Sequence, residues 1–313
     1  MKKNWKELVR SALAEDIGPG DITANLVPQG SAVRAIIIAK ERGVIAGLPM
    51  AQQSFLSLNP RVKFQAFKKD GQDVAAGEKV LEIFGPLPIL LSAERTSLNF
   101  LSRISGIATL TRKFVEKAAG TKADIFDTRK TTPTLRALEK YAVKAGGGKN
   151  HRFGLFDGIL IKDNHISALS ASKKVRTRLD AITNLLKEAR KKKRNPPQSP
   201  YLDGSAPAFC KGGKREIRRK GIPIEVEVEN IKEALTAASA GADIILFDNM
   251  SPEKVRAVRK ELIRMEFKGK IEVSGGITLQ NVRAYALAGV DRISIGRLTH
   301  SAPALDFSLE IIS

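Results

Sequence analysis

The sequence predicts an α/β protein: an incomplete parallel α/β barrel with an N-terminal α+β sandwich domain. Three observations carry this. Beyond residue 122, short apolar runs alternate with helical stripes, the pattern of strands joined by crossover helices. Nearly every one of those runs ends in a polar or glycine position, at Asp127, Lys162, Glu227, Asp248, Ser274 and Gly296-Arg297. Function-bearing groups at the carboxyl ends of parallel strands mark the active face of such folds. Before residue 112 the apolar runs are separated by glycine turns instead of helices. Only 5% of the residues are aromatic, and the abundant aliphatics suit strands covered on both faces.

The elements follow in order. Trp5, Leu8, Val9 and Leu13 fall at helical spacing and open the chain. Asp16-Ile17-Gly18-Pro19-Gly20-Asp21 is a turn-rich loop. Residues 35–39, 62–67 and 80–84 read as strands, with Gly71 and Gly77 as turns. Residues 90–115 return to helical spacing, with Leu91, Leu98, Leu101, Ile104 and Leu110 as core positions. The barrel strands fall at 124–126, 158–161, 224–228, 244–247, 271–273 and 293–295. Between the later ones, Ile231, Ala234, Leu235 and Ala238 form one helical stripe, and Val255, Val258 and Leu262 another. Residues 167–221 read as an insertion: an amphipathic helix carrying Val175, Leu179, Ile182 and Leu186, then a loop-like stretch from Asn195. The domains are therefore expected at 1–111 and 112–300.

At 313 residues the chain is long enough for two moderate cores. Its net charge is +20, and residues 166–222 hold 16 Lys and Arg against 4 Asp and Glu. The excess is thus concentrated in the insertion, whose basic runs at 173–194 and 211–220 contain none of the aromatics that base stacking requires, so a solvated basic face outweighs a nucleic-acid site. Cys210 is the single cysteine, which excludes an internal disulfide. The first residues lack the apolar run of a signal peptide, and no apolar stretch approaches the roughly 20 residues of a membrane span. A cytoplasmic protein is expected.

Two of the three histidines, His151 and His165, lie in one region rich in strand-end cations. Asp127-Thr128-Arg129-Lys130-Thr131-Thr132-Pro133 alone is as compatible with a surface loop as with an anion site. With Asn150-His151-Arg152 and Lys162 behind it, an anion site is the better reading, because Arg forks and Lys point charges suit carboxylate and phosphate oxygens. Gly146-Gly147-Gly148 ends the helix containing Leu135, Leu138 and Val143, and at least one glycine could let the backbone pass close to a ligand. Ser274-Gly275-Gly276 precedes a helix expected near Leu279 and is a candidate phosphate cradle, as is Ser294-Ile295-Gly296-Arg297 one strand later. Glu225, Glu227 and Glu229 alternate along one strand and share a face. Glu227 and Asp248 form a carboxylate pair suited to Mg²⁺, although balancing the nearby cations is the competing role. Arg95 lies on the long helix, far in sequence from the barrel.

These residues resemble a known family. The seven stretches at Asp127–Pro133, Asn150–Arg152, Ile161–His165, Glu225–Val228, Phe247–Asn249, Ser274–Ile277 and Leu298–Ser301 occur in the order found in quinolinate phosphoribosyltransferases, the carboxylating nicotinate-nucleotide pyrophosphorylases. The resemblance extends to Glu94-Arg95-Thr96 and to the early Glu15-Asp16-Ile17-Gly18 with Gly20-Asp21. It implies a sandwich domain rejoined by residues 301–313 and a homodimer in which Arg95 reaches the neighbouring site. It implies joining of quinolinate to phosphoribosyl pyrophosphate with Mg²⁺, giving nicotinate mononucleotide, CO₂ and pyrophosphate. Arg95, Arg129, His151, Arg152 and Lys162 would hold the quinolinate carboxylates. Lys130 would reach the donor. Glu227 and Asp248 would hold its ribose and the metal, and with Lys130 they form the expected catalytic set. Ser274, Gly275, Gly276, Gly296, Arg297 and His300 would surround its 5′-phosphate. The chain departs from the family at Thr134, where glycine is usual, and in its longer, more basic insertion. A relative from molybdenum-uptake operons, a Schiff-base aldolase using Lys162, and a nucleic-acid binder using the insertion are the alternatives.

Overall fold

The computed structural model describes residues 5–28, 32–171, 175–193 and 222–312. Helix α1 (Trp5–Ile17) buries Val9 and Leu13, as the helical spacing requires. Strands β1 (Ala32–Ala39), β3 (Lys63–Ala66), β5 (Lys79–Pro86) and β12 (Phe307–Ile312) form an antiparallel sheet in the order β12-β1-β5-β3. The last strand therefore returns to pair with the first. A short pair, β2 (Gly43–Val44) with β4 (Asp73–Val74), and helix α2 (Leu48–Leu58) complete the domain; neither was anticipated from the sequence. Phe55 of α2 and Leu90, Ala93 and Leu101 of α3 (Leu87–Ala118) cover the sheet face formed by Ala35, Ile37, Leu81 and Ile83.

Helix α3 runs 32 residues, straight through the expected domain boundary at 111, so the two domains share a helix in place of a linker. Its Gly106 is required by close approach. A Cβ there would lie 1.9 Å from the carbonyl oxygen of Pro303, where the segment leading to β12 crosses the helix.

The second domain is a parallel sheet of β6 (Asp124–Phe126), β7 (Ile159–Ile161), β8 (Ile224–Val228), β9 (Ile244–Asp248), β10 (Lys270–Ser274) and β11 (Arg292–Ser294). Its order, β6-β11-β10-β9-β8-β7, leaves β6 and β7 at opposite edges, so the barrel is incomplete. The free side of β6 pairs instead with Lys149, through a parallel bridge at Phe126. Helices α4 (Arg136–Ala145), α5 (Asp163–Ser170), α6 (Arg178–Lys193), α7 (Ile231–Ser239), α8 (Pro252–Arg264), α9 (Val282–Leu287) and α10 (Arg297–His300) follow the strands. Val226, Ile245, Phe247, Val273 and Ile293 alternate outward into the buried layer beneath the helices. The intervening residues point inward and build the site.

The amphipathic helix expected within residues 167–221 is α6, with Ile182 and Leu186 buried; it begins at Arg178, so Val175 precedes it. The loop-like stretch expected from Asn195 lies outside the described residues. The helix expected near Leu279 begins at Val282, because Asn281 Oδ1 accepts the Thr278 N–H (2.7 Å) and turns the chain first.

Candidate active site

Strand ends and inward-facing residues converge on one cavity of about 530 Å³. Arg129 and Lys130 reach it from the β6 loop, Lys162 from the end of β7, Glu225 and Glu227 from β8, Asp248 and Asn249 from β9, Glu272 and Ser274 from β10, and Ser294 and Gly296 from β11. His151 and Arg152 enter from the segment after the β6 edge. A second hollow of about 300 Å³ shares Lys130, Gly275, Gly276, Ser294 and Gly296 and adds Arg297, His300 and Ser301. A larger hollow of about 770 Å³ lies at the opposite rim, against Asp243, Lys270 and Arg292. Strand-borne chemistry in such folds sits at the carboxyl ends, so the smaller pair of hollows is the candidate site.

Of the expected site residues, Arg129, Lys130, His151, Arg152, Lys162, Glu227, Asp248, Ser274, Gly275, Gly276 and Gly296 line the main cavity. Arg297 and His300 line the adjoining one. Arg95 is exposed on α3 and lines neither. Glu229 does not share the inward face of Glu225 and Glu227: β8 ends at Val228, and Glu229 stands 3.7 Å from Arg178. His165 is no ligand-facing histidine either; its Nδ1 accepts the Lys162 N–H (2.9 Å) and caps α5. The three glycines at 146–148 are structural. Gly147 has φ 91° and the Gly148 N–H donates to Val143 O, terminating α4, while a Cβ at Gly146 would lie 2.4 Å from Ala108 O.

The cations are crowded and short of anions. Burial, then Arg136, pulls the Arg129 guanidinium below its ordinary value, and burial followed by Arg129 does the same to Arg152. Arg129 Nε is buried without a hydrogen-bond partner among the described residues. Arg152 is oriented by donating to Gly158 O (3.0 Å). Gly275, at φ 84°, could not carry a side chain, because a Cβ would lie 2.1 Å from Asn249 Oδ1. Its backbone is consequently bare toward the cavity.

On the acidic side, burial and then Asp248 push the Glu227 carboxyl up. Two mutually repelling carboxylates, with hard oxygen donors, fit a divalent cation such as Mg²⁺. Asp248 is oriented by Ser274 Oγ (2.7 Å) and Asn249 Nδ2 (3.0 Å).

Beneath them lies a cluster that sequence reasoning missed. His151 Nε2 is 2.9 Å from Glu225 and 3.5 Å from Glu272; Ser294 Oγ donates to Glu272, and Arg292 lies 3.6 Å from its other oxygen. The alternation of Glu225 with Glu227 was the sequence signal for half of it; the partner Glu272 comes from another strand. These three side chains have metal-ligand chemistry, but His151 is already hydrogen-bonded to Glu225, and Arg292 supplies the remaining positive charge. Burial and the Glu225 charge push Glu272 up to about 7. Burial opposes the charged His151 ring, but Glu225 and Glu272 outweigh it and its value also rises.

Both raised groups bind protons more tightly folded than unfolded, so their contribution to stability is greatest at low pH and declines as pH rises. For Glu272 the decline runs from its ordinary 4.5 to about 7. Glu272→Gln removes that term, so its melting temperature is expected to rise relative to wild type between pH 5 and about pH 8. A constant difference in calorimetric scans across that range refutes the assignment.

Thr134 adopts φ 67°. A β-branched residue in the left-handed region costs roughly 1–2 kcal/mol. Thr134→Gly is expected to stabilise the protein by about 1 kcal/mol, the relief being partly offset by glycine's greater freedom when unfolded. Denaturant midpoints measure it, and a loss of stability contradicts it.

Fold and cavity together define an α/β-barrel protein whose cavity, lined by cations and carboxylates, opens at the carboxyl ends of its strands. The chain belongs to the quinolinate phosphoribosyltransferase family. The N-terminal domain of quinolinate phosphoribosyl transferase matches residues 21–105, and its C-terminal domain matches 107–191 and 204–310. The chain is similar to the probable carboxylating nicotinate-nucleotide pyrophosphorylase of Bacillus subtilis, with 40% identity over 98% of this chain and 93% of that one. The chloroplastic carboxylating nicotinate-nucleotide pyrophosphorylase of Arabidopsis thaliana is 36% identical over 98% of this chain and 82% of its own. Among solved structures, the nicotinate-nucleotide pyrophosphorylase from Francisella tularensis superimposes with a TM-score of 0.81 at 35% identity, covering 98% of this chain and 96% of that one.

Proposed function

We propose that this chain transfers the phosphoribosyl group of phosphoribosyl pyrophosphate to quinolinate, with decarboxylation, giving nicotinate mononucleotide, CO₂ and pyrophosphate. The observation that carries the reading is the meeting of Arg129, His151, Arg152 and Lys162 with Glu227 and Asp248 in one cavity, beside a second hollow edged by glycines. A doubly negative pyridine suits the first group, and a phosphorylated sugar the second. Membership of the family supports the same substrates.

In this reading Arg129, His151, Arg152 and Lys162 hold the quinolinate carboxylates and aim its ring nitrogen at the ribose carbon. Orientation of that kind lowers the barrier by several kcal/mol. Lys130 reaches the donor phosphates, and Ser274, Gly275, Gly276, Gly296, Arg297 and His300 surround the 5′-phosphate. Glu227 and Asp248 would hold Mg²⁺ and the ribose; when bound, the ion neutralises charge on the leaving pyrophosphate. The ring nitrogen's electron pair forms the new bond as the carbon–oxygen bond to pyrophosphate breaks. The carbon–carboxylate bond then gives its pair to the ring cation, CO₂ departs, and a proton takes its place. The transfer step needs no general base.

Arg95 lies outside its own cavity, which suits donation to a second copy. Ile22, Leu26, Leu155 and Phe156 are exposed apolar side chains, the last two in the loop after Arg152, and a homodimer would cover them. Among the described residues no helix is long and apolar enough to cross a membrane. The deciding assay is purified protein with quinolinate, phosphoribosyl pyrophosphate and Mg²⁺. Formation of nicotinate mononucleotide supports the reading; no product sinks it. Borohydride trapping at Lys162 in the presence of a carbonyl substrate would favour the aldolase instead.

A further inference from the structure

Glu139 is a buried carboxylate, 1% exposed, that lines neither hollow of the candidate site, yet it is fully engaged. Its Oε1 accepts from Arg103 Nη2 (2.7 Å) and from the Thr132 hydroxyl (2.8 Å), and its Oε2 accepts the Thr132 N–H (3.1 Å). Arg103 comes from α3, the helix shared by the two domains. The same guanidinium donates to Thr299 O and to Ala302 O (3.1 Å). Thr299, in turn, donates its hydroxyl to Lys130 O (2.6 Å).

One guanidinium thus ties together two segments far apart in sequence: the loop carrying Arg129 and Lys130, and α10 with the Gly296 turn before it. Lys130 sits between them. Its Cδ packs so closely over Gly296 that a Cβ there would lie 3.0 Å away. Arg136 fastens the loop further by donating to Thr131 Oγ1 (2.9 Å). The loop needs such anchors, because Thr134 holds it in a left-handed turn that threonine disfavours.

We infer that the Arg103–Glu139 pair, acting through Thr132 and Thr299, is a positioning device that sets Lys130 against the phosphate-binding corner, and so governs affinity for the phosphorylated donor more than for the dicarboxylate. The inference rests on the proposed function for the identity of the donor. Of the groups assigned to quinolinate, His151, Arg152 and Lys162 stand on other segments and are untouched by this latch; Arg129 shares the loop, but Thr299 grips that loop at Lys130. The donor depends on Lys130 and the Gly296 turn holding their relative positions. Loss of the Thr299 hydroxyl is therefore enough to separate the two ligands.

The test uses Thr299→Val, which deletes the hydroxyl that meets Lys130 O and, at 3.1 Å, Gly296 O, and Thr299→Ser, which restores it. Arg103→Met and Arg103→Lys form a second pair; because Arg103→Met strands a buried carboxylate, the Thr299 pair decides if that variant fails to fold. Phosphoribosyl pyrophosphate with Mg²⁺ is titrated into each full-length protein by calorimetry, and KM is measured for both substrates. Thr299→Val is expected to weaken donor binding about tenfold, to change KM for quinolinate less than about threefold, and to be rescued by Thr299→Ser. Equal shifts in both constants, an unchanged donor Kd, or no rescue by serine would overturn the inference. The titration needs no quinolinate, so its outcome stands separately from whether quinolinate is the acceptor.

Discussion

Arg152→Ala is expected to lower kcat/KM for quinolinate by about 10²-fold or more, with little change in melting temperature. The guanidinium is half-buried beside Arg129, and among the described residues its one hydrogen bond is to the carbonyl of Gly158. Its loss removes no buried partner charge from the fold, so stability stays close to wild type. A charge-assisted, bidentate contact to a carboxylate in a partly desolvated cavity is worth about 2–4 kcal/mol, and that difference alone accounts for a loss of 30- to 1,000-fold. Misplacing the ring nitrogen adds to it. Near-normal kcat/KM would remove Arg152 from the site. The same variant tests the proposed donation of Arg95. Subunits carrying Arg95→Ala and subunits carrying Arg152→Ala are each nearly inactive alone. After mixing and subunit exchange, about a quarter of the sites would combine an intact Arg152 with a partner's intact Arg95, and about a quarter of wild-type activity would return. No recovery would mean that Arg95 does not cross between subunits.

Much of the site was legible in the sequence because the barrel writes its chemistry at strand ends, while Arg152, on the segment after β6, was read from the cations around it. Polar residues that interrupt or terminate aliphatic runs, such as Lys162, Asp248 and Ser274, stand out against the pattern that burial demands. Glu272 sits inside a strand, flanked by Ile271 and Val273, and its meaning depends on His151, Glu225 and Arg292 arriving from other segments. Sequence spacing carries no trace of that meeting. Glu139 and Lys140 were hidden for the same reason, since on a helix they look like ordinary charged positions. Conversely, His165 and Gly146-Gly147-Gly148 drew attention by residue type while serving as helix caps and close-packed turns. Thr134 was noticed as a departure, but only its φ of 67° shows what the departure costs.

Lys140→Met is expected to produce the largest loss of stability. Lys140 and Asp127 form an ion pair at 2.5 Å, with side chains 3% and 0% exposed. Burial dominates both partners, pushing the Asp127 carboxyl up and the Lys140 ammonium down, so each charge persists chiefly because the other is present. Removing one partner of such a pair costs about 3–5 kcal/mol, because the remaining charge is stranded without water. The damage would also reach the cavity. Asp127 accepts the His151 N–H (2.8 Å) and the Asn150 amide (2.7 Å), and Lys140 donates to His151 O (3.2 Å), so the pair fixes the backbone from which His151 and Arg152 project. Two further results separate this account from simple loss of packing. Asp127→Asn combined with Lys140→Met is expected to be more stable than Lys140→Met alone, since no charge is left behind. In Lys140→Met itself, Asp127 retains a raised value with its main counter-charge gone. Its protonated form is then favoured on folding, so the deficit shrinks as pH falls toward the ordinary carboxylate range and is largest at neutral pH. Denaturant midpoints measured from pH 5 to 8 provide the check: a deficit below about 1 kcal/mol, or one independent of pH, would show that the pair is dispensable and that neighbouring hydrogen bonds hold this part of the site.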